Sequence, residues 1–205
     1  MRTRVKICGI TQPQDAMAAA GGGADAIGLV FYPPSPRFLS VERAREIRDA
    51  LPPFVQTVAL FVNADAAQVA QVIGRVHPAL LQFHGDESPQ FCAQFGLPYV
   101  KACRVKAGVD ALEYLRPFSG AAAWLFDSHV PEYGGIGESF DWSLVPVTDK
   151  AVILSGGLSQ ANVAAAIRRL RPWGVDVSSG VESAKGLKDA AKIAAFIAEV
   201  RNADV

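Results

Sequence analysis

The chain has 205 residues, with 20 acidic and 20 basic side chains, so it carries no formal net charge. That balance gives no global field toward nucleic acid or an anionic membrane, although a local phosphate site is compatible with it. Half of the residues are apolar, enough for a full core in one domain, and no run approaches the roughly 18 apolar residues that a membrane span needs.

The three cysteines are unevenly spaced, which argues against a disulfide framework and for a reducing compartment. Arg2 and Arg4 look like the charged head of a secretion signal, but no long apolar run follows them. The expectation is a soluble, cytoplasmic protein.

Strand and helix signals alternate along the chain. A strand is expected over 5–8, then a helix over 13–20 with Thr11 as N-cap, Pro13 in the first turn and Gly21 to Gly23 as the stop. The apolar run 26–31 lacks polar alternation, as a strand buried on both faces should. A helix over 40–50 follows, capped by Ser40 and ended by Pro52. Next come a strand over 57–62 and a helix over 65–76 with Val69, Val72 and Ile73 on one face. A short strand over 80–83 leads to a helix over 88–95, with Ser88 as cap and Gly96 as stop.

A strand over 99–103, a helix over 109–115 and a strand over 123–126 come next. A long loop through Gly134, Gly135 and Gly137 runs to a weak helix near 142–144. The last units are a strand over 152–154, a helix over 159–170, a strand over 175–177 and a closing helix over 187–200. Strands alternating with helices imply parallel pairing by crossover. About eight such units predict a single (β/α)8 barrel over the whole chain. The competing open, doubly wound sheet would want a dinucleotide fingerprint after the first strand, and no G-x-G-x-x-G stands there.

In such a barrel, function lies in the loops after the C-terminal ends of the strands. Cys8 ends the first strand and Gly9 follows. By itself Cys8 reads as a small buried hydrophobe, since free Cys is among the most buried residue types. The residues at the same face turn the reading toward proton transfer. Asp127 ends the apolar run Trp124-Leu125-Phe126, where partial desolvation raises a carboxyl toward use as a general acid. A helix cap or a salt-bridge partner is the alternative. Acid and base would then flank one substrate.

Two glycine–serine turns, Ser155-Gly156-Gly157-Leu158 and Ser178-Ser179-Gly180-Val181, end the two last strands, the first opening directly onto a helix. Barrels commonly hold a phosphate there, on converging N–H groups. This predicts phosphate binding at Gly156, Gly157, Ser179 and Gly180, against the reading of ordinary tight turns. Arg37 follows three prolines in four residues, a stiff frame that suits a planar fork on a carboxylate. The alternative is a solvated surface arginine. His84, at a strand end, reads more readily as a structural hydrogen-bonder than as a catalyst. The three His and three Cys show no metal-ligand spacing, so no metal is expected.

Lys6-Ile7-Cys8-Gly9-Ile10-Thr11, Ser35-Pro36-Arg37, Gln82-Phe83-His84-Gly85 and Phe126-Asp127-Ser128 stand in an order and spacing similar to those of the phosphoribosylanthranilate isomerases of tryptophan synthesis. So do Gly135-Ile136-Gly137, Phe140-Asp141-Trp142, Ser155-Gly156-Gly157-Leu158 and Asp176-Val177-Ser178-Ser179-Gly180-Val181-Glu182. The resemblance covers the whole chain. It implies a (β/α)8 fold, no cofactor, and an Amadori rearrangement of N-(5-phosphoribosyl)anthranilate to 1-(2-carboxyphenylamino)-1-deoxyribulose 5-phosphate. It matches Cys8 to the general base, Asp127 to the general acid, Arg37 to the group holding the anthranilate part, and His84 and Asp176 to recurrent site residues. Ile136 departs from a frequent Thr or Ser, and Ala184-Lys185-Gly186 from a common Pro-Gly.

These roles fit the chemistry. A thiol at its free pKa of about 8.5 is a poor base at neutrality. Lys6 shares a strand face with Cys8, and the expectation is that it lowers the thiol's pKa. The expected partner is a small sugar-phosphate substrate, with no nucleic acid and no membrane, for a monomer or homodimer. Rival readings are a sister sugar-phosphate barrel and a non-catalytic phosphate-ligand sensor. The sensor has no need for both Cys8 and Asp127.

Overall fold

The computed structural model describes residues 2–106, 108–128 and 139–204. The loop through Gly134, Gly135, Ile136 and Gly137 lies outside the described residues, as does His129. Eight parallel strands close on themselves: β1 (Arg4–Cys8), β2 (Ala26–Val30), β3 (Gln56–Phe61), β4 (Leu80–Phe83), β5 (Tyr99–Val105), β6 (Ala123–Ser128), β7 (Val152–Leu154) and β8 (Gly174–Val177). Each pairs with the next, and β8 returns to β1 with Lys6 opposite Asp176. The sheet has no edge, which settles the choice against the open alternative.

Among the described residues, seven α-helices surround it: α1 (Pro13–Gly22), α2 (Val41–Asp49), α3 (Ala66–Val76), α4 (Pro89–Ala93), α5 (Ala111–Leu115), α6 (Val163–Leu170) and α7 (Ala190–Ala203). Among the described residues, the chain between β6 and β7 has only a 3₁₀ turn, Trp142–Leu144. Ser40, Asp65, Ser88, Asp110 and Asp189 each accept a backbone N–H at the start of their helices, the capping that satisfies otherwise orphaned donors.

Alternation along each strand sorts the core into two layers. Ile7, Leu29, Phe61, Phe83, Phe126 and Val177 face outward and pack with helix residues such as Val69, Phe196 and Ile197. Val100, Ala102, Leu125 and Ile153 fill the barrel interior. Cys8, Val30, Leu60 and Val62 form a separate inner layer near its C-terminal mouth. Phe83 is a hub of the outer layer, with ring centroids 6.1 Å from Phe61, 6.0 Å from Phe95 and 5.9 Å from Tyr99. Truncating it to alanine should cost about 3–5 kcal/mol, and it is the residue just before His84.

Several expected boundaries shift by one to three residues, and three local readings change. Thr11 does not cap α1. Gln12 precedes the helix without a side-chain cap, while Thr11 Oγ1 donates to the Gly186 carbonyl. The helix expected from residue 159 begins at Val163. Asn162 accepts the Ser159 N–H at 2.9 Å and donates to the Gly157 carbonyl at 2.9 Å, holding that stretch in a local non-helical turn. The Gly156-Gly157 turn therefore does not open directly onto a helix. The closing helix starts at Ala190, not at residue 187, because Leu187–Lys188 pairs as β10 with β9 (Glu182–Ala184) in a hairpin. Within the departing triplet, Ala184 ends β9 opposite Leu187, and Lys185-Gly186 makes the turn, with Gly186 at φ +80°.

Candidate active site

Inward-facing residues at the C-terminal ends of the strands converge on one pocket that opens to solvent. Cys8, Arg37, His84, Asp127, Gly156, Gly157, Asp176 and Ser179 all line it, over an apolar wall of Val30, Leu60 and Val62. Gly180 alone among the expected site residues does not. A Cβ there would stand 2.0 Å from the Leu158 carbonyl oxygen, so Gly180 lets the loop after β8 lie against the loop after β7.

Cys8 is 7% exposed, on the strand position opposite Gly28. A Cβ on Gly28 would lie 2.7 Å from Cys8 Sγ and 3.1 Å from Lys6 Cε, so the glycine makes room for both side chains. Lys6 Nζ donates to Asp176 Oδ2 at 2.8 Å, with both residues buried. Burial pushes the Cys8 thiol up, Lys6 pulls it down, and Asp176 pushes it up again; the net direction is upward. The expected pull of Lys6 is present, but it does not win, because it acts on a desolvated thiol and is shared with Asp176. Burial likewise opposes the Lys6 ammonium, yet Asp176 and Cys8 raise its pKa. Asp176 Oδ1 is buried with no hydrogen-bond partner among the described residues. A buried carboxylate oxygen without a donor is costly, and this one belongs to a pocket-lining residue, where a ligand hydroxyl can supply it.

Asp127 is held from two sides. Its Oδ1 accepts the Ser128 N–H at 2.8 Å, and its Oδ2 lies 3.0 Å from His84 Nε2. The Gln82 amide nitrogen stands 3.0 Å from His84 Nδ1. With that amide donating, the neutral imidazole carries its proton on Nε2 and donates it to Asp127. Gly156, at φ +80°, presses on the same carboxylate. A Cβ there would meet Ser128 N at 2.4 Å and Asp127 Oδ1 at 2.8 Å.

Arg37 is buried, and one edge of its fork is already occupied. Nε donates to Glu182 Oε1 at 2.7 Å and Nη2 to Oε2 at 2.8 Å. That takes the Nε/Nη2 edge; one Nη2 N–H and both Nη1 N–H groups are not used by Glu182, so the Nη1/Nη2 edge can still meet a carboxylate at two points. Lys188 Nζ donates to the same Glu182 oxygen at 2.8 Å and to the Ser178 carbonyl at 3.1 Å. Burial would raise the Glu182 carboxyl, but Arg37 and Lys188 outweigh it and hold it below the usual carboxylate range. Burial pulls the Lys188 ammonium down despite Glu182.

Sequence reasoning missed Lys188 and gave Glu182 no role. The available signal was a glutamate directly after a buried valine at the end of the last motif, since a charge placed there needs a partner. Three basic groups (Lys6, Arg37, Lys188) and two carboxylates (Asp176, Glu182) thus leave one positive charge in excess beside Cys8. That excess suits a thiolate or an incoming anion. Among the described residues, no group of three or more His, Cys, Asp or Glu is placed to hold a metal ion. Nor is any described helix long and apolar enough to cross a membrane.

The family profile described as "N-(5'phosphoribosyl)anthranilate (PRA) isomerase" matches residues 5–199. A relative named N-(5'-phosphoribosyl)anthranilate isomerase, from Dechloromonas aromatica, is 52% identical over 206 residues, covering 100% of this chain and 99% of its own. The crystal structure of phosphoribosyl anthranilate isomerase from Thermotoga maritima superposes with a TM-score of 0.91 at 42% identity, over 98% of this chain and 99% of that one. The crystal structure of a phosphoribosyl anthranilate isomerase in complex with reduced 1-(o-carboxyphenylamino)-1-deoxyribulose 5-phosphate superposes with a TM-score of 0.85 at 37% identity, over 98% of this chain and 99% of that one.

Proposed function

The chain belongs to the phosphoribosylanthranilate isomerase family, and on that premise we propose that it isomerises N-(5-phosphoribosyl)anthranilate with Cys8 as general base and Asp127 as general acid. The observation that carries the assignment is that both groups, reached from opposite parts of the sequence, line one pocket together with Arg37 and the two glycine–serine turns.

Asp127 gives a proton to the furanose ring oxygen. The C1′–O bond breaks, and the anthranilate nitrogen's lone pair forms a protonated imine. That cation acidifies the neighbouring C2′ proton, which the Cys8 thiolate removes. The released electron pair becomes the C1′=C2′ bond of an enolamine, which tautomerises to the ketone. The Asp127 proton stays on the product's ring-opened hydroxyl and the C2′ proton is on Cys8, so the passage of one proton from Cys8 to Asp127, by way of solvent, resets the pair. Burial disfavours the thiolate at rest. The net positive charge of its surroundings, and then the imine cation, work in the opposite direction.

Arg37 binds the anthranilate carboxylate through its Nη1/Nη2 edge, oriented by Glu182 on the other edge. The turns at Gly156-Gly157 and Ser179-Gly180 hold the phosphate. Gly156 and Gly157 have positive φ, +80° and +62°, a conformation that glycine adopts without strain. Asp176 Oδ1 accepts a ribose hydroxyl, which would satisfy its orphaned oxygen. The three free cysteines suit a reducing, cytoplasmic setting. The decisive test is turnover of freshly made N-(5-phosphoribosyl)anthranilate, followed by loss of its anthranilate-type fluorescence. A folded protein that binds this compound and leaves it unchanged would overturn the assignment in favour of a sensor.

A further inference from the structure

Lys101 stands within β5, on its outer face, and is completely buried. Its Nζ donates to the Gly85 carbonyl and, at 2.9 Å, to Glu87 Oε2. The Phe118 and Tyr114 rings flank it, with centroids 5.3 and 5.9 Å away. Glu87 in turn accepts the Asn63 N–H at 2.9 Å and the Gly85 N–H at 3.0 Å. One carboxylate thus ties together the segments that follow β3 and β4 and the middle of β5. Asn63, left-handed at φ +50°, also accepts the Asp86 N–H on its Oδ1 at 2.7 Å. Gly85 has no room for a side chain, since a Cβ would sit 2.4 Å from Asn63 Oδ1 and 2.8 Å from Asn63 N.

Burying both charges costs more than packing two apolar side chains of the same size. The return lies in the geometry of what the pair encloses. His84 immediately precedes Gly85, and its Nε2 holds the Asp127 carboxylate at 3.0 Å. Neither Lys101 nor Glu87 lines the pocket. We infer that the Lys101–Glu87 pair is a positioning device that fixes the His84-Gly85 turn, and through His84 sets the orientation of Asp127 toward the substrate. This rests on the reading of Asp127 as the acid.

Displacements of about 1 Å at a reacting group cost up to 10²-fold in rate. Glu87→Gln keeps the size and one acceptor oxygen but removes the charge. Well below its melting temperature, it is expected to lower kcat about tenfold, with KM changed less than about twofold. In a His84→Ala background the same substitution should change kcat less than about twofold, because the path through His84 is already cut. Effects that multiply independently in the double variant would overturn the inference, as would a lower melting temperature with unchanged kcat. If Glu87→Gln does not fold, Asn63→Gly permits the same left-handed backbone, removes the bond to Asp86 and loosens the turn that Glu87 holds. It is expected to lower kcat about threefold, again only when His84 is present, and an equal loss in both backgrounds would overturn the inference. Asp127→Asn separates the two levels. Normal turnover there would fail the acid assignment and the inference together, whereas an inactive Asp127→Asn beside a fully active Glu87→Gln would fail the inference alone.

Discussion

Glu182 grips Arg37 at two nitrogens, Nε at 2.7 Å and Nη2 at 2.8 Å, inside a pocket wall where both side chains are less than a tenth exposed. The guanidinium is therefore oriented before any ligand arrives. Gly9 allows this close fit, since a Cβ there would stand 2.3 Å from Arg37 Cδ. On the reading proposed above, the ligand's carboxylate meets a fixed cation and its phosphate lies elsewhere. Arg37→Ala is expected to weaken carboxylate-bearing product analogues by about 1.5–3 kcal/mol, the range for a lost charge-assisted bond. Inorganic phosphate should bind nearly as before. Calorimetric titration of both ligands checks this, and equal weakening would move Arg37 to the phosphate site.

The same carboxylate gives a pH signature. Glu182 titrates below its ordinary value of 4.5 because Arg37 and Lys188 together outweigh its burial. A carboxyl depressed in the folded state contributes stability that is present above its unfolded pKa and lost as pH falls through the folded one. The melting temperature should therefore drop more steeply below about pH 4.5 in the parent than in Glu182→Gln. The variant should be less stable at pH 7, by about 3–5 kcal/mol for a broken buried pair. Parallel melting curves across pH 3–7 would show that this network does not contribute through its ionisation.

The barrel was legible because its signals are local. Uninterrupted apolar runs mark the strands, and Ser40, Ser88 and Asp65 mark helix starts. Cys8 and Asp127 stood out as polar groups ending apolar strands. What stayed hidden is long-range or competitive. Lys101 reads as an intruder in an apolar strand, and nothing nearby names Glu87, fourteen residues back, as its partner. Arg37 and Glu182 are 145 residues apart. Ser159 has the chemistry of a cap, but Asn162 competes for its N–H and delays the helix. Leu187 and Lys188 fit the helical pattern that follows, yet pairing with β9 claims them first.

Asp127 stands between His84 and Gly156, and each contact yields an outcome. Asp127→Asn should reduce kcat at least about 10²-fold, with a much smaller change in substrate affinity. Gly156→Ala forces a Cβ to within 2.8 Å of Asp127 Oδ1, on a backbone with φ +80°. Its kcat should fall about tenfold or more through displacement of the acid. Steady-state kinetics with binding measured separately decides the matter. An Asp127→Asn variant that loses affinity but keeps its turnover number would make Asp127 a binding group.

Cys8 gives the last and most discriminating test. Cys8→Ala should lower kcat at least about 10²-fold and leave the fold intact. Burial holds the thiol above its ordinary value of 9.0. A base acts in its deprotonated form, so the Cys8-dependent part of kcat/KM should keep climbing past pH 9 instead of levelling at neutrality. Alkylation reads the same ionisation directly. Cys92 and Cys103 are buried, and neither lines the pocket, whereas Cys8 does. Iodoacetamide should therefore modify Cys8 first, abolish turnover in step with one equivalent bound, and be slowed by a ligand carrying both carboxylate and phosphate. Modification of Cys92 or Cys103 ahead of Cys8, or near-normal turnover by Cys8→Ala, would remove the thiol from the reaction.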